Sequence, residues 1–367
     1  MSKKKKILHI IQSLDSGGCE NMLLRTLPLL GDFEHKIVTL KEPGELAPKF
    51  VSAGIIIETL HISSFLDISG LSRLRRFIQT EQPGIILTYL FHADMIGRLA
   101  LHNATAAPII PFLRTTYNHP KYLIARILEW LTKPLVKRYL ANSEAVKNFY
   151  VTHLGVDTKK ITVIPNGIDI TYFDSITPDP ELRKSVGIAP DDFTIICVAN
   201  LHINKGHRYL LEAFEDTHKK LPNVHLLIVG DGVERDNLKS QLRNYDSQDN
   251  ITFLGHRTDI PELLKISDLF VLPTLFEGQS NALLEAMASG IPVITTDIPE
   301  NRDLIEHNVS GILVPTQASA VLSQKIQELR HNQETRRALS TMAKQTIRDT
   351  FSLDRATNSF QRILDTL

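Results

Sequence analysis

The chain has 367 residues, with 41 Lys plus Arg against 41 Asp plus Glu, a formal net charge of zero and 43% hydrophobic residues. That length exceeds one ordinary core and suits two domains, and the globular composition excludes a largely disordered chain. Without a basic excess beyond Lys3 to Lys6, nothing points to a nucleic-acid partner.

Lys3 to Lys6 leads into Ile7-Leu-His-Ile-Ile, which soon meets polar Gln12-Ser-Leu-Asp. This apolar stretch is too short for a signal peptide and reads as the first strand of a cytoplasmic protein. No apolar run approaches the roughly 20 residues of a membrane span. The two cysteines, Cys19 and Cys197, read as buried free thiols of a reducing compartment. A loop with Gly17 and Gly18 follows the first strand, and a helical period runs from Cys19 to Leu30. Such a turn lets backbone approach a ligand closely, but a dinucleotide fingerprint would need a third glycine.

Lys36 to Leu40, Ile55 to Leu60, Ile85 to Tyr89, Ile109 to Leu113 and Tyr139 to Ala141 are short apolar runs between helical stretches. This alternation predicts an α/β fold with a mostly parallel sheet and ligands at the carboxyl ends of its strands. His92 follows one strand, and Arg114 and His119 follow the next. Between Lys121 and Tyr139, Leu123, Ile127, Trp130, Leu131 and Leu135 are interspersed with Arg126, Lys133, Lys137 and Arg138. Two readings stand: a core-packed surface helix, or a contact with anionic membrane. Asn142-Ser143-Glu144 opens a helix, and the turn-rich stretch to Thr177-Pro-Asp-Pro180 reads as a linker.

The strand–helix pattern then restarts at Phe193 to Val198, with Asn200 and Lys205 in the following loop and a helix from His207. Lys205, in front of Gly206 at a strand–loop–helix turn, is a candidate phosphate contact. Further strands end at Gly230-Asp-Gly232 and at Gly255-His-Arg257. Leu269 to Pro273 is strand-like and Ala282 to Ala288 is a run of strong helix formers ending at Gly290. Ser280 is the expected N-cap, so the first backbone N–H groups, near Asn281, Ala282 and Leu283, form an anion site. Glu277 and Glu285 bracket that site. No His or Cys pairing stands at metal-ligand spacing.

Phe-Glu277-Gly278-Gln-Ser280-Asn281-Ala-Leu-Leu-Glu285-Ala-Met-Ala-Ser-Gly290 closely resembles the paired-glutamate signature of family 4 glycosyltransferases. These are retaining enzymes of the GT-B fold with nucleotide-sugar donors. Gly17-Gly18-Cys19-Glu20 matches the family's Gly-Gly-x-Glu element, which faces the donor diphosphate. The segment His92-Ala-Asp-Met-Ile-Gly-Arg-Leu-Ala resembles the one whose His lies beside the donor sugar, and Ile164-Pro-Asn-Gly-Ile-Asp169 is similar to the family's hinge. The likeness runs from Gly17 to Pro315.

The resemblance implies two Rossmann-like domains facing each other across a cleft: residues 1–174 for the acceptor and 175–352 for the donor. A last helix, 353–367, would cross back to the first domain. It implies that Glu277 contacts the sugar hydroxyls, Glu285 the ribose, and Lys205 the diphosphate. Gly17, Gly18, Asn200, Gly255, Arg257, Gly278, Ser280, Asn281, Ala282 and Leu283 would complete the donor site, and Arg114 and His119 are candidate acceptor contacts. The family commonly has an arginine five positions before the lysine, where this chain has Asn200.

The expected reaction moves a hexosyl or N-acetylhexosaminyl group from a UDP-sugar, in preference to a GDP-sugar, to a glycan or lipid-linked acceptor for cell-surface polysaccharide. It needs neither cofactor nor metal. The enzyme would be cytoplasmic, in reversible contact with the membrane's inner face. A non-catalytic nucleotide-sugar-binding paralogue and a GT-B-like nucleotide-sugar epimerase are the competing expectations.

Overall fold

The computed structural model describes residues 4–116 and 123–367. Two compact units divide the chain: residues 1–167 with 353–367, and residues 168–352. The division falls inside the Ile164–Asp169 string, ahead of the proline-rich Thr177 to Pro180 stretch. The Ile170–Ser175 helix therefore lies in the second unit, where Phe173 enters the core and Asp174 pairs with Lys344 and with Arg348 at 3.1 Å.

The first unit is built on a seven-stranded sheet of β1 (Lys5–Ile11), β2 (Phe33–Thr39), β3 (Ile56–Thr59), β4 (Ile85–Tyr89), β5 (Ile109–Leu113), β6 (Tyr139–Ala141) and β7 (Ile161–Val163), in the order β3-β2-β1-β4-β5-β6-β7. Every neighbouring pair is parallel. β1 shows why the run from Ile7 to Ile11 is apolar apart from His9. Ile7 and Ile11 enter one core layer with Leu23 and Phe50, while Leu8 and Ile10 enter another with Leu74 and Ile96. A strand covered on both faces loses the polar alternation of a half-exposed one. The Leu353–Asp365 helix belongs to this unit: Phe360 and Leu364 are buried in the first layer, and the Phe360 ring meets Phe112 edge-on at 5.9 Å.

The second unit has a six-stranded sheet of β8 (Phe193–Val198), β9 (Val224–Val229), β10 (Ile251–Gly255), β11 (Leu269–Leu272), β12 (Val293–Thr296) and β13 (Ile312–Val314), in the order β10-β9-β8-β11-β12-β13. These pairs are also parallel. Both units are thus Rossmann-like. Cys19 and Cys197 are free and buried, and burial pushes each thiol up to about 12.

The stretch after β5 does not pack as a core helix. The Leu123–Thr132 helix buries Glu129 and Thr132, while Leu123, Ile124, Ile127, Trp130 and Leu131 are exposed. Its inner face is polar because it docks on Arg98 of the Leu90–Leu101 helix. Arg98 Nη1 lies 2.7 Å from Glu129 and donates to the Thr132 hydroxyl at 2.8 Å, and its Nε donates to Asp94 at 2.8 Å.

A second buried polar chain crosses β1. His35 Nε2 lies 3.1 Å from the Leu30 carbonyl, His35 Nδ1 lies 3.0 Å from His9 Nε2, and His9 Nδ1 lies 2.9 Å from the Tyr89 hydroxyl. A carbonyl only accepts, so His35 carries its proton on Nε2. His35 Nδ1 then accepts from His9 Nε2–H, and His9 Nδ1 accepts from Tyr89. Both imidazoles are neutral in this arrangement, and burial holds both below the ordinary histidine range. As the pH falls through about 6.5 the unfolded chain takes up protons that the folded chain refuses, so stability is lost on acidification. The melting temperature is expected to fall from pH 7 to 5. In His9→Phe, whatever its absolute stability, the accompanying loss of unfolding free energy should shrink by about 1.4 kcal/mol per pH unit below 6. An unchanged slope refutes the assignment.

Candidate functional site

β8 and β11 are neighbours in the sheet although β9 and β10 lie between them in sequence. The strand order reverses there, so the loops leaving the two strands diverge and open a crevice at their carboxyl ends. The loop after β8 carries Asn200 and Lys205, and the loop after β11 carries Glu277.

These two loops are joined at one residue. The Asn204 carbonyl accepts from Leu275 N at 2.7 Å and from the Thr274 hydroxyl at 3.0 Å, while the Asn204 amide donates to the Phe276 carbonyl at 3.5 Å. Gly206 makes the approach possible. Its φ is +71°, and a Cβ there would lie 2.0 Å from the Pro273 carbonyl oxygen. Lys205, at the end of the short turn Ile203–Lys205, is thereby set against Glu277, and the two side chains form an ion pair, 20% and 10% exposed.

The exit of β11 is fixed from its other side by β12. The Thr295 hydroxyl donates to the Leu272 carbonyl at 2.8 Å and the Thr296 hydroxyl to the Thr274 carbonyl. The buried Asn301 amide in turn donates to Thr295 at 2.8 Å and to the Thr296 carbonyl at 2.9 Å. Sequence reasoning passed over these residues. Two threonines closing an apolar strand were the one available signal.

Ser280 is the N-cap, its Oγ accepting from Leu283 N at 3.3 Å, and the Asn281–Ser289 helix ends at Gly290 with φ +79°. The positive end of this helix thus opens onto the loop holding Glu277 and Gly278. Ala282 and Leu283 lie in its first turn, and Glu285 lies half-buried in the second. Asn200 is exposed on the facing loop. The field of Lys205 is felt nearby: burial first, then Lys205 and His202, push the His207 imidazole down to about 4.

Gly255 and Arg257 stand further along, beyond β9. Gly255 ends β10 with φ +66°, and its carbonyl accepts from Gly230 N at 2.8 Å. Arg257, also expected at the donor, pairs with Asp259 in its own loop, with Nε to Oδ1 at 2.8 Å and Nη2 to Oδ2 at 2.5 Å. Opposite charges two residues apart at the mouth of a turn meet without any ligand.

In the first unit the strand order reverses between β1 and β4. Gly17 precedes the Gly18–Thr26 helix with φ −148°, an extended value open to any residue. What glycine supplies here is room, since a Cβ would lie 2.4 Å from a Glu20 carboxylate oxygen. Burial raises the carboxyl of Glu20 above its ordinary range. His92 sits exposed in the first turn of the Leu90–Leu101 helix after β4. Arg114, leaving β5, donates from Nη2 to Asn166 at 2.8 Å, and its Nη1 is buried without a partner among the described residues. It therefore ties β5 to the Ile164–Asp169 string. His119 lies outside the described residues.

The family profile described as Glycosyltransferase Family 4 matches residues 17–172, and that described as Glycosyl transferases group 1 matches residues 178–346. A relative in Escherichia coli, UDP-Gal:alpha-D-GlcNAc-diphosphoundecaprenol alpha-1,3-galactosyltransferase, is 29% identical over 85% of this chain and 84% of its own. The capsular polysaccharide biosynthesis glycosyltransferase CapM of Staphylococcus aureus is 26% identical over 79% of each. Among solved structures, Anabaena HepE in complex with UDP superposes with a TM-score of 0.87 at 22% identity, covering 99% of this chain and 100% of that one.

The chain belongs to the family 4 glycosyltransferases. Its second unit gathers Lys205, Glu277, Gly278, Ser280, Asn281, Ala282, Leu283 and Glu285 of this transferase at one switch point, with Asn200 on the same loop as Lys205. One cation and a helix N-terminus there suit a phosphorylated group, and two carboxylates suit hydroxyls. Among the described residues no group of three or more His, Cys, Asp or Glu is gathered as metal ligands, and no helix is long and apolar enough to cross a membrane.

Gly206→Ala tests the loop junction. Left-handed backbone costs an alanine about 1–2 kcal/mol, and the overlap with Pro273 adds to it. Denaturant unfolding should show a loss of at least that size. A loss under about 0.5 kcal/mol would mean that the two loops are not locked together at this point.

Proposed function

We propose that this transferase moves a hexosyl or N-acetylhexosaminyl group from a UDP-sugar to a glycan or lipid-linked acceptor for cell-surface polysaccharide, with retention at the anomeric carbon. The observation that carries the reading is the Lys205–Glu277 pair at the N-terminus of the Asn281–Ser289 helix. The Escherichia coli relative, a UDP-galactose-dependent transferase to a diphosphoundecaprenol acceptor, supports UDP over GDP and a diphosphate-linked lipid, and the Staphylococcus aureus relative supports capsular material as the product class. An enzyme with such an acceptor works in the cytoplasm at the inner face of the membrane.

Cleaving a sugar–diphosphate bond leaves negative charge on the nucleotide and positive charge on the ring. Groups that meet the leaving oxygens in the transition state lower the barrier. Lys205 and the first-turn amides meet them here, with Asn200 donating hydrogen bonds at the position where the resemblance leads one to expect an arginine. The pair is an exchangeable one: the incoming diphosphate takes the Lys205 ammonium, and Glu277 is released to accept from sugar hydroxyls. Glu285 holds the ribose. Lys205 and the amides supply the positive charge, so no metal is required. In a front-face attack the leaving phosphate takes the acceptor's proton, and no protein nucleophile is needed.

Thermal shifts with UDP- and GDP-sugars test the donor. A UDP-sugar at 100 times its Kd should stabilise by about 2.7 kcal/mol. Stabilisation by GDP-sugars alone, or an inverted anomer in the product of transfer to a sugar-diphospholipid, overturns the reading.

The two glutamates should separate by ligand. Glu285→Ala is expected to weaken binding of bare UDP by about 1.5–3 kcal/mol, and Glu277→Ala to leave UDP binding nearly intact while slowing transfer. Equal calorimetric losses would reject this division.

Lys205→Ala should lower kcat/KM by a factor on the order of 10² to 10³. Activity within about fivefold of wild type would show that other groups carry the leaving charge.

A further inference from the structure

The Leu123–Thr132 helix is inverted. At 100° per residue, Leu123, Ile124, Ile127, Trp130 and Leu131 share an arc of about 120°, and all five are exposed, between 47% and 73%. The opposite face holds the buried Glu129 and Thr132, fastened to Arg98. Ordinary surface helices turn such a stripe inward.

Charge around the stripe is one-sided. From 123 to 138 the cations are Arg126, Lys133, Lys137 and Arg138, and the sole carboxylate is Glu129, which faces inward and is paired. Lys133 is committed, its ammonium donating to the Leu154 carbonyl at 2.8 Å at the end of the Glu144–Leu154 helix. Arg138 donates from Nη1 to the Thr366 hydroxyl at 3.5 Å, and Arg126 and Lys137 remain as a basic rim. A two-fold pairing of this face with a second copy would set that rim against itself.

We propose that the outward face of the Leu123–Thr132 helix is a membrane-docking surface, inserting its five apolar side chains among the acyl chains of an anionic bilayer while the basic rim meets the headgroups. Apolar insertion combined with attraction to anionic lipid is how an interfacial helix binds. This rests on the reading of the chain as a transferase with a lipid-linked acceptor, and it names the surface that brings the enzyme to that acceptor.

Trp130 is the chain's one tryptophan and lies within the stripe, so its fluorescence reports on insertion directly. The full chain is titrated with vesicles of phosphatidylglycerol and phosphatidylcholine, and with phosphatidylcholine alone. Release of UDP from the donor without lipid is followed separately, so that failure of catalysis and failure of docking are told apart. With anionic vesicles the emission should shift to the blue and be quenched by brominated acyl chains, and binding should weaken as salt is raised.

Ile124→Glu with Ile127→Glu, both exposed positions, should weaken vesicle binding by about tenfold or more at unchanged melting temperature and UDP release. Arg126→Ala with Lys137→Ala should abolish the preference for anionic lipid. Three results overturn the proposal: Trp130 emission indifferent to anionic vesicles, equal vesicle binding by wild type and the double glutamate variant, or Trp130 burial that follows protein concentration without lipid. The last would make the face a contact between copies.

Discussion

The geometry at the switch point of the second unit hangs on the Asn204 carbonyl, which takes two hydrogen bonds from the loop after β11. Hydrogen bonds of this kind contribute about 0.5–1.5 kcal/mol each, enough in combination to fix a loop. The Lys205–Glu277 pair depends on that fixed frame. A largely buried ion pair gains little net stability, because desolvation offsets much of the attraction. The backbone frame, rather than the ion pair, therefore sets the geometry of these loops.

Close approach of backbones recurs in this unit. Gly206 meets Pro273, and Gly230, at φ +128°, would place a Cβ 2.1 Å from the Ala199 carbonyl oxygen. Both contacts press neighbouring loops at the carboxyl ends of the strands into one layer. The first unit is different: at Gly17 the missing Cβ makes space for the Glu20 carboxylate, a flexible side chain. The same residue type therefore locks loops in one unit and leaves room beside a buried acid in the other.

Local signals made much of this legible. The Ser280 cap, the helix stop at Gly290 and the Ser143 cap, whose Oγ accepts from Val146 N at 3.1 Å, follow from residue types within a few positions of each other. The two sheets followed from apolar runs alternating with helices. What could not be read is what long-range pairing decides. Lys205 and Glu277 each stand out in their own loops as candidates, yet their mutual pairing spans 72 positions. The Arg257 pair with Asp259 is likewise not announced by either residue's type. The polar chain from Leu30 through His35 and His9 to Tyr89 needs β2, β1 and β4 to be adjacent before it exists.

The Leu123–Thr132 helix went against its own periodicity for the same reason. A stripe of five apolar residues predicts burial of that stripe, and hydrophobic burial alone would roll the helix over. Arg98 is 1% exposed and already faces Asp94, whose carboxylate also accepts from Thr88 at 3.1 Å. Glu129 arrives as a second carboxylate, accepts from Tyr150 at 3.2 Å, and is pushed by burial up to about 7. Rolling the helix would strip Glu129 and Thr132 from this cluster and press apolar side chains onto a cation that cannot lose its charge. Breaking one partner out of a buried ion pair costs about 3–5 kcal/mol. The cluster therefore acts as a latch that faces the apolar stripe outward, so the exposure of Trp130 and its neighbours is a consequence of charges buried on the opposite side of the same helix.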